Sequence, residues 1–90
     1  MYTYLISYDL RAPGKNYTDL HNHLKNYSDW AKPLESVWLI RSNSKPSEVR
    51  DAARKRMDAN DHIFVVDVTK QAAAWFGMPD KVSDWIKNNM

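Results

Sequence analysis

Asp9 is the residue whose type and position most invite chemistry. It ends the run Tyr2-Thr3-Tyr4-Leu5-Ile6-Ser7-Tyr8 and is followed by Leu10. Carboxylates are poor strand formers and are rarely buried without a partner. One reading is local: Asp9 caps the turn at Arg11-Ala12-Pro13-Gly14, or pairs with Arg11. The other reading is a hard-metal ligand. In a two-fold dimer a strand-end Asp meets its mate, and two carboxylates with waters suit Mg2+ or Mn2+. Such a centre activates water against a phosphodiester. Arg11 and Lys15 add positive charge beside it.

The remaining chemistry is sparser. The chain has no cysteine, so disulfides and thiolate metal sites are excluded. His21 and His23 are two apart on a helical segment, so they point to different sides and do not chelate one metal together. His62 opens a strand, and Asp67 interrupts the same strand, either as a surface or edge residue or as a ligand, the former being the commoner case. No HExxH pattern, phosphate-binding glycine loop or nucleophile elbow is present. The formal charge of +2 hides an asymmetry: Arg41, Lys45, Arg50, Arg54, Lys55 and Arg56 face only Glu48 and Asp51, so this segment carries +4 and the remainder −2. Arg50 and Arg54 share a helix face four residues apart. They form either a solvated face or a phosphate-tracking stripe.

Several elements must position these groups. Ninety residues make one domain, too short for a doubly wound dinucleotide fold or a barrel enzyme. The first ten residues read as a strand that stops at the Pro13-Gly14 turn. Tyr17, Leu20, Leu24, Tyr27 and Ala31 then step by three and four, which predicts a helix starting near Asn16 and ended by Lys32-Pro33. A strand follows over Glu35 to Ser42. After the turn cluster Asn43 to Ser47, Val49, Ala52, Ala53, Arg56 and Met57 predict a second helix capped by Ser47. His62 to Thr69 is a third strand. The tail holds an aromatic turn (Ala72 to Gly77) and a helix from about Pro79, with Val82, Trp85 and Ile86 at helical spacing. The order implies α+β. The nearest small architecture is a ferredoxin-like βαββαβ sandwich over residues 1–90, with an added C-terminal helix. Its fourth strand would come from a bend near Arg41 to Lys45 or from Thr69 to Phe76.

Alternate residues of a strand face opposite sides of its sheet. In the first strand Tyr4, Ile6 and Tyr8 oppose Leu5, Ser7 and Asp9. In the second, Val37 and Leu39 oppose Trp38 and Ile40. In the third, Ile63 and Val65 oppose Phe64, Val66 and Val68. Both faces are apolar, and two amphipathic helices cover only one. A half-solvated antiparallel sheet alternates apolar with polar. The second face therefore needs the terminal helix with Trp75 and Trp85, a second copy of the chain, or both; symmetric dimers are the commonest oligomers. No apolar run approaches the roughly 20 residues that span a membrane. The N-terminus carries no signal-peptide pattern, which makes the cytoplasm the expected location.

The strand end Tyr8-Asp9-Leu10, the helix closing in Leu24-Lys25-Asn26-Tyr27 and the segment Leu34-Glu35-Ser36-Val37-Trp38 together resemble the small CRISPR-associated endonuclease family, the second Cas protein. VapD-type toxin ribonucleases are related in fold. The opening Thr3 to Leu10 also resembles short bacterial proteins labelled SinR-like. The similarity runs over roughly residues 1–68. It implies a ferredoxin-like homodimer in which Asp9 is the catalytic, metal-binding acid at the dimer axis. Leu10 and Arg11 stand where that family often carries a second polar or acidic residue, and Leu34 and Leu39 replace its usual Gln and acid around the second strand.

The resulting expectation is a homodimer that binds DNA or RNA and cuts it as a Mg2+- or Mn2+-dependent endonuclease. Asp9 would hold the metal, and Arg11, Lys15, Arg41, Arg50 and Arg54 would contact phosphates. The alternative is a non-catalytic dimeric module that binds nucleic acid or a protein partner.

Overall fold

Apolar spacing alternates between two and three-to-four along this chain, and strands alternate with helices accordingly. The computed structural model describes residues 1–12 and 14–90. Its elements run β1 (Tyr2–Asp9), α1 (Thr18–Lys25), β2 (Trp30–Leu34), β3 (Val37–Ser42), α2 (Pro46–Arg54), β4 (His62–Asp67) and α3 (Asp80–Asn89). The strands form one antiparallel sheet in the order β2-β3-β1-β4. The fold is mixed α+β, as the element order implies. Pro13, part of the turn expected after the first strand, lies outside the described residues.

The fourth strand comes from neither expected segment. It is β2, cut from the end of what the periodicity reads as one long helix. α1 stops at Lys25, the next residues turn, and Trp30 to Leu34 pair with β3. Ala31 continues the helical stripe by coincidence of spacing. Lys32 and Pro33, read as a helix stop, sit inside an edge strand, where proline costs no ladder hydrogen bond if its nitrogen faces outward or lies at an irregularity. The register shift between Ala31 and Leu34 provides that irregularity. α2 begins earlier than expected, with Pro46 in its first turn. The Glu48 carboxylate accepts the Lys45 backbone N–H at 2.8 Å, which satisfies a donor at the helix start.

Register sorts the side chains into two faces. Tyr4 lies opposite Ile40 and Asp67, and Ile6 opposite Trp38 and Val65. Tyr4, Ile6, Tyr8, Trp38 and Ile40 meet Leu20 and Leu24 of α1 and Val49 and Ala53 of α2 in the core, with Val65 packed against them, while Asp67 stays exposed at the strand end. A polar pair sits inside it: Trp38 Nε1 donates to the Tyr8 hydroxyl at 3.0 Å. The buried indole N–H would otherwise lose its water partner uncompensated.

The second face carries Leu34, Val37, Ser7 and Phe64 in one row, and Ala31, Leu39, Leu5 and Val66 in the next. α3 packs against β2, buries Ile86, and receives the Thr3 hydroxyl at its Asn89 carbonyl (2.6 Å). Trp75 Nε1 donates to Ser83 Oγ at 2.9 Å and ties the tail to this helix. Ala31, Leu39 and Thr3 are buried, but Leu34 and Phe64 stay 57% and 63% exposed. The terminal helix therefore covers part of the second face only. No helix among the described residues is long and apolar enough to cross a membrane.

Candidate functional site

Asp9 is the last residue of β1 and lies opposite His62 of β4. Two registers place it: the strand ladder, and the loop that leaves it. Arg11 folds back so that Nε and Nη2 both donate to Asp9 Oδ2, at 3.0 and 2.7 Å. Both side chains are more than half exposed. The local pairing with Arg11 is therefore realised. An ion pair this solvated contributes little to stability.

The loop is held by Asp61, in the turn between α2 and β4. Asp61 accepts the Arg11 backbone N–H at 2.6 Å and the Asp58 N–H at 2.8 Å, and the Tyr17 hydroxyl sits 2.8 Å from both of its carboxylate oxygens. Partial burial works against the charged carboxylate, yet these hydrogen bonds outweigh it and hold Asp61 below the usual range. Burial and the Asp61 hydrogen bond push the Tyr17 phenol up. The one sequence signal was the turn-forming cluster Asp58-Ala59-Asn60-Asp61; the partner loop more than forty residues away left none. Asp67 plays a plainer role. It accepts the Thr69 N–H at 2.9 Å and the Thr69 hydroxyl, so it caps the strand end at the surface.

This staple gathers part of the expected cationic set. Arg11 and Lys15 join the turn that follows α2, beyond Arg54 and Lys55, at one end of the sheet. Lys15 Nζ lies 5.5 Å from the Tyr17 ring centre. Arg50 sits further back on α2 with its Nε on Asp51 at 2.9 Å. Arg41 stands apart. It lies opposite Thr3, six residues along β1 from Asp9, about 20 Å away at the usual strand rise. Its Nη2 donates to the Met1 carbonyl at 3.1 Å and its buried Nε has no partner. The site residues thus fall into an Asp9 end, a helix over the first face and a lone Arg41 at the far end.

The Asp9 end holds a shallow depression of about 210 Å³ lined by Ser7, Tyr8, Asp9, His62, Ile63 and Phe64. Its donor set does not fit a hard divalent cation. Mg2+ asks for six oxygens in near-octahedral array. Here one carboxylate is already committed to a guanidinium, whose charge opposes a second cation, and one imidazole stands across the ladder. Among the described residues no three His, Cys, Asp or Glu gather to hold a metal. A single protomer therefore offers charge and hydrogen bonding at this end, and no metal centre.

A second concavity, about 410 Å³, lies between the β2 edge and α3 and is lined by Trp30, Ala31, Lys81, Val82 and Trp85 among others. No protein-family model matches the chain, and no solved structure matches it.

Proposed function

We propose that this chain is a ferredoxin-like module that works as a pair in the cytoplasm and binds nucleic acid without hydrolysing it. The strand order β2-β3-β1-β4, with α1 between β1 and β2 and α2 between β3 and β4, supports the ferredoxin-like assignment. The part of the second face left open around Phe64 supports the pair. One observation carries the binding role. Asp61 staples the loop after β1, which carries Lys15, to the turn after α2, which follows Arg54 and Lys55; Lys15 lies near Asp61, and Arg54 and Lys55 near Asp51, yet none of the three forms an ion pair with a carboxylate among the described residues. Unpaired cations clustered on a rigid support attract phosphates and release counterions.

The test is fluorescence anisotropy on labelled DNA and RNA, single-stranded and duplex, between 50 and 200 mM salt. Affinity falls steeply with salt, and Lys15→Gln or Arg54→Gln each lowers the slope of log K against log salt by about 1. A flat slope, or one that neither substitution alters, overturns the role.

A second reading keeps the endonuclease, with Asp9 and the partner's Asp9 holding Mg2+ or Mn2+ across a dimer axis. Its support is the exposure of Asp9 beside an open depression and the family resemblance of Tyr8-Asp9-Leu10. Calorimetric titration with Mn2+ separates the two readings: a site present in the wild type and lost in Asp9→Asn, with metal-dependent cutting lost in parallel, selects the endonuclease.

A further inference from the structure

A β-sheet that is not closed has two edges, and each displays a row of unpaired backbone groups that natural proteins usually defend. The edges of this sheet are β2 and β4. β2 is defended in three ways. It holds Lys32 and Pro33, its ladder is broken by the register shift between Ala31 and Leu34, and α3 packs against it. β4 lacks the first two, and the helix that packs on it, α2, does so on the first face. The strand's six residues, His62-Ile63-Phe64-Val65-Val66-Asp67, contain no proline or lysine and pair with β1 without a break.

The open backbone groups of β4 can be assigned. Val68 N donates to the Thr3 carbonyl at 2.8 Å. Antiparallel ladders alternate, so His62, Phe64 and Val66 turn their N–H and C=O groups towards β1, and Ile63, Val65 and Asp67 turn theirs outward. On the same strand Phe64 is 63% exposed on the second face, beyond the part that α3 covers. An undefended edge and an uncovered apolar patch therefore coincide on one element.

We infer that β4 is where a second copy of this chain adds, antiparallel across a two-fold axis, to make a continuous eight-stranded sheet. The inference rests on the reading of the chain as a pair and specifies how the pair forms. Opposed residues in such a ladder must both point outward or both point inward. Two registers centred on the strand satisfy this. With Phe64 on the axis, Asp67 falls against the partner's Asp61, like charge on like. With Val65 on the axis, Ile63 falls opposite the partner's Asp67, and all three outward residues of each copy are paired through six N–H···O=C bonds. Phe64 then lies opposite the partner's Val66 on the second face, an aromatic against a β-branched side chain, which is a favourable cross-strand pair. The Val65 register is the one that satisfies backbone and charge together. Asp67 keeps its carboxylate on Thr69 at the rim.

The register has a consequence for the Asp9 end. Asp9 stands level with His62, so the two copies of Asp9 are three strand spacings apart across the sheet and six residues apart along it, about 25 Å in all. That distance prevents both from holding one cation, and it sets the two cationic ends at opposite corners of the shared sheet.

The experiment is sedimentation equilibrium joined to amide hydrogen exchange followed by NMR, on the full chain. The expected species has a mass of about 21 kDa, twice the chain's 10.5 kDa. The amides of Ile63, Val65 and Asp67 exchange slowly at high concentration and fast on dilution. Val65→Pro removes the two backbone hydrogen bonds on the axis and weakens association about 100-fold. Phe64→Lys, at an exposed position that leaves the fold intact by circular dichroism, also shifts the protein to monomer. A dimer in which those three amides exchange as freely as unpaired surface amides overturns the β4 edge and leaves the pair standing. A monomer at all concentrations overturns both.

Discussion

The two faces of this sheet are built from equally apolar strands and end in different states. On the first face Tyr4, Ile6, Tyr8, Trp38 and Ile40 are all buried beneath α1 and α2. On the second face burial is confined to Thr3, Ala31 and Leu39, near α3, while Phe64 and Leu34 face solvent. Two helices of eight and nine residues lie over the first face, and one of ten residues lies towards the β2 side of the second. Hydrophobic residues in a strand create a demand for cover, and the number and placement of helices decide how much of it one chain meets. The unmet remainder includes Phe64 on β4, the edge strand to which the proposed second copy would add. The same division separates the chemistry: the buried polar pair Tyr8–Trp38 belongs to the first face, and the exposed Asp9–Arg11 pair to the second.

The largest effect comes from breaking the closed face. Trp38→Ala removes the biggest fully buried side chain and leaves the Tyr8 hydroxyl without its indole donor. The expected loss is about 3–5 kcal/mol in urea unfolding, enough to unfold much of a small domain. On the other face, Ile86→Ala lifts the anchor of α3. This change is expected to cost about 2 kcal/mol, at the low end for its class, because a site beside the sheet edge can relax. An equal loss in the two variants, measured at a concentration where the protein is monomeric, would erase the difference between the faces.

The smallest effect is in pH dependence. Burial first, then Lys32 and Lys25, lowers the His21 pKa from 6.5, and burial with Arg56 does the same for His23. Folded histidines of this kind bind fewer protons than unfolded ones just below pH 6.5. Their contribution is therefore complete above that pH and is lost as pH falls towards the depressed folded value. Urea midpoints recorded from pH 7.5 to 5 should decline. His23→Phe should flatten the decline, since His23 Nε2 is buried without a partner. Asp61 acts in a lower window: its hydrogen-bonded carboxylate loses its contribution as pH falls through the carboxylate range.

Much of the fold was legible from local pattern. β1, β3 and β4 announce themselves through alternating aromatic and β-branched residues, and α3 through Val82, Trp85 and Ile86. β2 was not legible. Five residues that include a lysine and a proline carry no strand signal by themselves, and Trp30 and Ala31 become strand only because Ile40 and Leu39 lie beside them. At the Asp9 end, the Asp9–Arg11 pair was anticipated because the two residues are two apart. The Asp61 staple was not, because its partners Arg11 and Tyr17 come from a loop distant in sequence.

Sequence alone determined which residues demand burial, where most helices and strands fall, and that a carboxylate ends the first strand among basic residues. These properties are carried by local spacing and by residue type. Tertiary structure decided which edge is defended, how far α3 reaches across the second face, and which cations stand together. Each of those depends on where distant segments meet. Arg41 and Lys15 look equivalent as charges in the chain, yet an antiparallel sheet sends one to the far end from Asp9 and the Asp61 staple holds the other beside it.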